Sequence, residues 1–187
     1  MKSKILLGAA LAAGMTASAQ AIAADYVIDK AGQHAFITFK ASHLGYSYII
    51  GRFNDFEGSF SHDPDNPAGS KANVTIQAKS IDTNHAERDK HLRSDDFFDV
   101  AKYPVIEFTS TKYDGADKSG KLQGNLTMHG VTKAVTWDVN HIGEGDDPWG
   151  GYRSGFEAEV TLKAADFGMP DWVGDVEVEV IVEGIRQ

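Results

Sequence analysis

Residues 175–184 read DVEVEVIVEG. Val176, Val178, Val180 and Val182 fall on one parity of this run, while Glu177, Glu179 and Glu183 fall on the other. Successive side chains of an extended chain point to opposite faces, so a period of two predicts a strand with one face in an apolar interior and the other in water. A helix would scatter the valines around its axis.

The pattern recurs upstream. Phe156, Ala158, Val160 and Leu162 alternate with polar residues, as do Ala35, Ile37, Phe39 and Ala41; Val74, Ile76 and Ala78; Leu122, Gly124, Leu126 and Met128; and Val135, Trp137 and Val139. In GRFNDFEGSF (51–60), Phe53 lies on the odd parity and Phe56, Gly58 and Phe60 on the even. Keeping these rings on one face requires an extra residue, which predicts a bulge at Asn54-Asp55. Turn chemistry separates the runs: SHDPDNPAGS (61–70), YDGADKSG (113–120), His129-Gly130 and GEGDDPWGG (143–151). About eight antiparallel strands with one apolar face must close on themselves or pack on a second layer, so the fold class is all-β, a barrel or a sandwich. A membrane barrel with its apolar face outward would need strands of about 9 to 11 residues, longer than most of these runs.

Residues 83–100 alone abandon the period and predict a short helical insertion. Asn84 and Glu87 have the spacing of a capping box, and Ser94 opens a second short turn of helix that Pro104 limits. This segment also concentrates histidines and acids. On a helix, His85 and Asp89 face one way and Glu87 and His91 the other, whereas a metal needs three or four ligands from one direction. No metal site is expected there; Glu87 complements the helix start, and Lys90 and Arg93 its end. The remaining histidines are scattered, His34 at a strand start and His62 in a turn. His43 continues the parity of Ile37, Phe39 and Ala41 and is expected to point inward near a barrel mouth.

The chain has no cysteine, no G-x-S-x-G elbow, no P-loop and no dinucleotide fingerprint. Asp146 and Asp147 sit in a Gly/Pro loop and are read as turn formers. No catalytic residue, metal or cofactor is assigned, and the expectation is a binding protein rather than an enzyme. Lys2 and Lys4, the apolar run Ile5 to Met15 and the small residues Ala21-Ile22-Ala23 predict a secretory signal peptide over 1–23. Its removal leaves 24–187 as one domain in the exported compartment. The net charge of −9 argues against nucleic acid and anionic membrane surfaces as partners. No stretch is long enough for a membrane-spanning helix.

RDKHLRSDDFFDVAKYPVIEFTST (88–111) followed by GNLTMHGVTKAVTWDV (124–139), with FITFKASHLGYSYIIGRFNDFEGSF (36–60) upstream and GFEAEVTLKAADFG (155–168) and VGDVEVEVIVEG (173–184) downstream, resembles the bacterial YceI-like family. The resemblance spans about Tyr26 to Gly184, and HLRSDDFFD...YP...F is its most specific element. It implies an exported, periplasmic, lipocalin-like barrel of eight antiparallel strands. Such barrels hold a polyisoprenoid or other long-chain amphiphile in an internal tube. The chain departs from the family at DFGMPDWVGD (166–175), where many relatives have a longer approach to the last strand, and at Phe36, an outward ring read as a packing or dimer contact.

On that implication, the inward parity nominates Ile37, Phe39, Phe53, Phe56, Phe60, Ile76, Leu126, Trp137, Val139, Phe156, Val160 and Val178 as the tube lining. His43, Arg52, Arg93 and Arg153 are nominated for a polar or pyrophosphate head, with Trp149 and Trp172 as amphipathic lids. Composition leaves open whether the interior is hollow. Ala35, Ala41, Gly58, Ala78, Gly124 and Ala158 could leave a channel beside the rings, or could interdigitate with them in a filled core. The function implied is a carrier or sequestering protein for isoprenoid lipids such as quinones or prenyl phosphates. The alternatives are a lipid-modifying enzyme using His85 to His91 with His43, and a module docking to membrane-bound redox or lipid enzymes.

Overall fold

The computed structural model describes residues 23–32 and 34–187, so the signal-peptide reading of residues 1–23 lies outside the described residues except for Ala23. Among the described residues eleven strands form: β1 Ala24–Ile28, β2 Phe36–His43, β3 Ser47–Phe53, β4 Phe56–His62, β5 Lys71–Gln77, β6 Ile81–Asp82, β7 Val105–Gly115, β8 Ser119–Met128, β9 Val131–Asp146, β10 Tyr152–Lys163 and β11 Asp175–Arg186. Among the described residues one α-helix, α1, spans Ala86–Leu92. No helix among the described residues is long and apolar enough to cross a membrane.

Eleven strands make eight staves, because three staves are broken. β1 and β2 form one stave, pairing with β4 and β3 on one side and with β11 on the other. β3 and β4 form the second and β5 and β6 the third; β7 to β11 complete the meander. All pairings are antiparallel, and β1 closes the barrel on β11 with Tyr26 opposite Arg186 and Ile28 opposite Gly184. Closure gives each stave a partner on both sides over most of its length, but among the described residues β3 meets β6 only at Arg52 and Phe53, so residues 47–51 keep one edge without a strand partner.

The parity change expected at Asn54-Asp55 is present as a full break, with Phe53 and Phe56 both buried on either side of it. It belongs to a larger crease. Asn54 N–H donates to Ser80 O (3.2 Å), Gln77 N–H to Asp55 O (2.8 Å), and Lys30 pairs with Asp55, so the interruptions of three neighbouring staves lie side by side. The 3₁₀ turn Ala78–Ser80 carries the third.

The small inward residues seat rings. A Cβ on Gly124 would lie 2.4 Å from the Phe108 ring, one on Gly51 2.3 Å from Phe39, and one on Gly184 2.5 Å from Phe60. Phe108 and Phe39 each lie across a glycine of the neighbouring strand, the arrangement known as aromatic rescue, while Phe60 on β4 reaches past β1 to Gly184 on β11. Inward glycines therefore do not themselves create a channel.

Three strands escaped the alternation, the two-residue β6 among them. β1 is five residues long, and β7 changes parity within itself: Ile106 and Phe108 are buried, then a bulge between Ser110 and Lys112 puts Tyr113 inward.

The insertion has a helix, but its cap is corrected. Asn84 has φ +58 and gives its N–H to an Asp82 carboxylate, so His85 is the N-cap and its Nδ1 accepts from Arg88 N–H (3.2 Å). No second helix opens at Ser94. Its hydroxyl folds back onto His91 O (2.7 Å), and hydrogen-bonded turns carry the chain to Tyr103. Leu92, Phe98 and Val100 from this segment pack against the barrel core and, with Phe167, close one end of it.

Candidate functional site

The inner face of the barrel encloses a cavity of about 180 Å³ with an almost wholly apolar wall. Its lining includes Ile37, Phe53, Phe60, Ile76, Leu126, Trp137, Val139, Phe156 and Val178 from the expected set. Phe39 and Val160 pack against the core beside it, and Phe56 is buried outside its wall. Leu122, Val180 and Val182 add to the lining, as do Ile106 and Phe108 from the unrecognised β7. Phe60, Val178, Val180 and Val182 point inward yet are only half-buried. The surface they keep faces the cavity, so the barrel is hollow even though glycines and rings interdigitate around it.

The hollow is modest. Apolar cavities of about 150 Å³ hold a molecule the size of benzene, so this one matches roughly one five-carbon unit. Ligand pockets for larger molecules run from about 300 to 1,000 Å³. The wall also carries two polar atoms without a protein partner, Trp137 Nε1 and Ser70 Oγ, both buried. A buried N–H left unpaired costs about 1 to 3 kcal/mol, so an acceptor oxygen in the tube would find a donor waiting.

The cavity reaches solvent away from α1, where the exposed Ser59 and Lys71 stand in its wall with Ser61, His62 and Ser70. β4 ends here, β7 turns into β8, and β9 into β10. Inside this end, His62 Nε2 lies 3.2 Å from Asp117 Oδ1, and His141 Nε2 lies 3.2 Å from Ser154 Oγ. His141 stacks on Phe156 with ring centroids 4.7 Å apart. Burial lowers the pKa of His141, helped by neighbouring His62, so its imidazole is neutral at pH 7. Burial acts to raise the pKa of Asp117, but Lys118 and the two histidines outweigh it and hold the carboxyl below its ordinary value.

The residues nominated for the head group are not brought together. His43 is exposed at the end of the β2–β3 hairpin, where the strand has run past the barrel rim, and does not point into the tube. Arg52 faces outward, 3.4 Å from Asp82. Arg93 donates to Lys79 O and Ile81 O, both at 2.7 Å, and so ties the insertion to β6. Trp172 stands exposed at the closed end with its edge against Phe97, while Trp149 stands exposed at the open end. Arg153 has outward parity on β10; it lies 2.5 Å from both Asp29 and Glu183, 2.9 Å from Asp147, and packs on the Trp149 ring. Its guanidinium is the main cause holding Asp29 below the usual carboxylate range. For Asp147 the Gly151 N–H comes first and Arg153 adds to it.

The histidine-rich insertion is occupied by structure. Thr83 donates its N–H (2.8 Å) and hydroxyl (2.5 Å) to buried Asp89, and Arg88 grips Thr83 through two hydrogen bonds. His91 pairs with Asp96 in solvent. These residues hold the closed end together, and His85, its cap, points its Nδ1 back into the helix.

The YceI-like domain model matches residues 26–184. The chain is 53% identical to Protein YceI of Escherichia coli over 190 residues, covering 98% of each. Among solved structures it is similar to the Campylobacter jejuni YCEI protein, with TM-score 0.71 and 31% identity over 78% of this chain and 90% of that one. It is also similar to a polyisoprenoid binding domain from Saccharophagus degradans, with TM-score 0.64 and 19% identity over 87% and 98%.

Proposed function

This chain belongs to the YceI-like domain family, and on that premise we propose that it is a soluble periplasmic carrier or sequestering protein for a polyisoprenoid or other long-chain amphiphile. The observation that carries the reading is the apolar cavity inside a closed barrel, open at the Lys71 end and plugged at the α1 end. The S. degradans relative, described as polyisoprenoid binding, supports the ligand class.

Magnitudes sharpen the proposal. Burial is worth about 0.8 kcal/mol per CH₂-sized group, so one five-carbon unit contributes about 3 to 4 kcal/mol before ordering costs. That corresponds to roughly millimolar binding, whereas micromolar binding needs about 8 kcal/mol and hence two or three enclosed units. A long chain must therefore widen the tube. The half-buried rings of Phe60 and Phe156, which meet edge-on at 5.3 Å in the wall, are the ones with room to swing.

The oxygen-bearing head sits at the open end, where Ser70 and Lys71 stand, and Trp137 Nε1 serves any oxygen set deeper in the tube. Contacts with a second copy of the chain, or with membrane-bound redox or lipid enzymes, would use outward Phe36 and the exposed Leu44, Tyr46, Tyr48 and Ile50 of the β2–β3 hairpin. Pull-down before and after Phe36→Ser tests those contacts. The lipid proposal is tested by purifying the mature chain from its native host and analysing an organic extract by mass spectrometry. A stoichiometric long-chain lipid is expected; repeated extracts without one would refute the carrier role.

A further inference from the structure

Lipid binding leaves the acid and imidazoles at the open end without a role. His62 Nε2 and His141 Nδ1 approach the same carboxylate oxygen, Asp117 Oδ1, at 3.2 and 3.7 Å, and the three atoms all lie within 4.8 Å of one another. We propose that His62 Nε2, His141 Nδ1 and Asp117 Oδ1 bind a single divalent transition-metal ion of the zinc class.

The spacing fits. A tetrahedral ion with bonds of 2.0 to 2.1 Å holds its ligand atoms about 3.3 to 3.4 Å apart; the His62–Asp117 separation of 3.2 Å is already close to this, and His141 must draw in from 3.7 Å of Asp117 and from within 4.8 Å of His62. The second observation is the state of His141 itself. Its side chain is 1% exposed, and Nδ1 has no hydrogen-bond partner. At 3.7 Å the Asp117 oxygen is too far for a hydrogen bond, so a protonated Nδ1 would be buried and unsatisfied. The other tautomer donates from Nε2 to Ser154 Oγ at 3.2 Å and turns the Nδ1 lone pair towards Asp117. An outer hydrogen bond of this kind is what orients metal-binding imidazoles. The other oxygen of Asp117 lies 3.4 Å from the exposed Lys118 ammonium. Two nitrogen donors and one oxygen favour zinc-class ions over magnesium or calcium, which prefer all-oxygen sites.

Asp29, His34 and Glu183 form a comparable trio, but Arg153 already lies 2.5 Å from both carboxylates there. An ion at that place would have to expel the guanidinium. Among the described residues no guanidinium stands between His62, Asp117 and His141, Lys118 pairing with the other oxygen of Asp117, and three protein ligands leave one coordination position open beside the mouth of the tube.

The ion is tested alone, so the outcome is independent of lipid. The full mature chain is stripped with a chelator, dialysed against Zn²⁺ or Co²⁺, and its metal content measured by plasma emission, with the visible spectrum of the cobalt form as a second readout. One ion per chain and a tetrahedral cobalt spectrum are expected. His141→Gln should weaken binding about 100-fold or more and Ser154→Ala about 10-fold, while His34→Ala leaves it unchanged. Less than a tenth of an equivalent bound by the wild type overturns the site, as does loss of the ion on His34→Ala. If His141→Gln fails to fold, the wild-type stoichiometry and Ser154→Ala still decide.

Discussion

At one end of the barrel Phe98 stands edge-on to Phe53 at 5.8 Å, over a floor of buried Ile81, Ala78 and Phe167; at the other, His62 and His141 lie against Phe156 within reach of Asp117 and Ser154. The first end is made mainly of one stretch of chain, residues 78–104, with Phe167 added from the turn after β10, and is knit by short-range hydrogen bonds such as Thr83 to Asp89 and Arg93 to Ile81. The second is made of strand ends from four places in the sequence, which only closure brings together. A local plug can be dry and rigid because its polar groups satisfy one another. An end assembled from distant strands keeps polar groups facing the tube, and it is where the tube opens.

The comparison breaks most visibly in stability. Phe167 is 1% exposed at the plugged end, and Phe167→Ala should cost about 3 to 5 kcal/mol in urea unfolding, the usual range for a buried ring. Phe156→Ala, whose ring borders a space already present, should cost less and widen the tube. Equal losses at the two positions would mean that the open end is as tightly packed as the plug, and the contrast would fail.

The sequence carried this architecture unevenly. Alternation was enough for β10 and β11 and for most of the lining, because a period of two survives wherever a strand keeps one parity. It failed for β7, where the bulge after Ser110 shifts the inward set from Phe108 to Tyr113. It failed for the head group because the partners of long arginines are set by the fold. Arg93 reaches carbonyls fourteen and twelve residues away, and Arg153 reaches Asp29 across the closure. The two histidines of the open-end cluster did have a signal. His62 extends the inward parity of Phe56, Gly58 and Phe60, and His141 that of Val135, Trp137 and Val139; a histidine on an apolar parity marks a buried imidazole in need of a partner.

A smaller effect sharpens the comparison inside the tube. Trp137→Phe keeps a ring in the wall and removes the unpaired N–H. If an oxygen of the ligand uses that donor, affinity for a quinone or prenyl alcohol should fall roughly 2- to 12-fold, the value of a net hydrogen bond of about 0.5 to 1.5 kcal/mol. Affinity for a hydrocarbon of equal length should not change. Calorimetric titration of both ligands separates the cases, and an equal loss for the two would assign Trp137 to shape alone.

The smallest effect concerns the outer surface of the open end, where Arg153 ties Asp29 to Asp147 and Glu183. Arg153 holds the Asp29 carboxyl below its ordinary value, so between that value, about 4, and the lower folded one, the unfolded chain binds a proton that the folded chain does not. Stability therefore rises with pH across this window; the contribution is complete above it and is lost as acid protonates Asp29 in the folded state. Arg153→Gln should lower stability at neutral pH, and the gap from wild type should narrow as pH falls below about 4. Urea unfolding from pH 6 down to the acid limit measures it. A gap that stays constant would show that Arg153 acts by packing on Trp149, and that the open end owes nothing to the ion pairs ringing it.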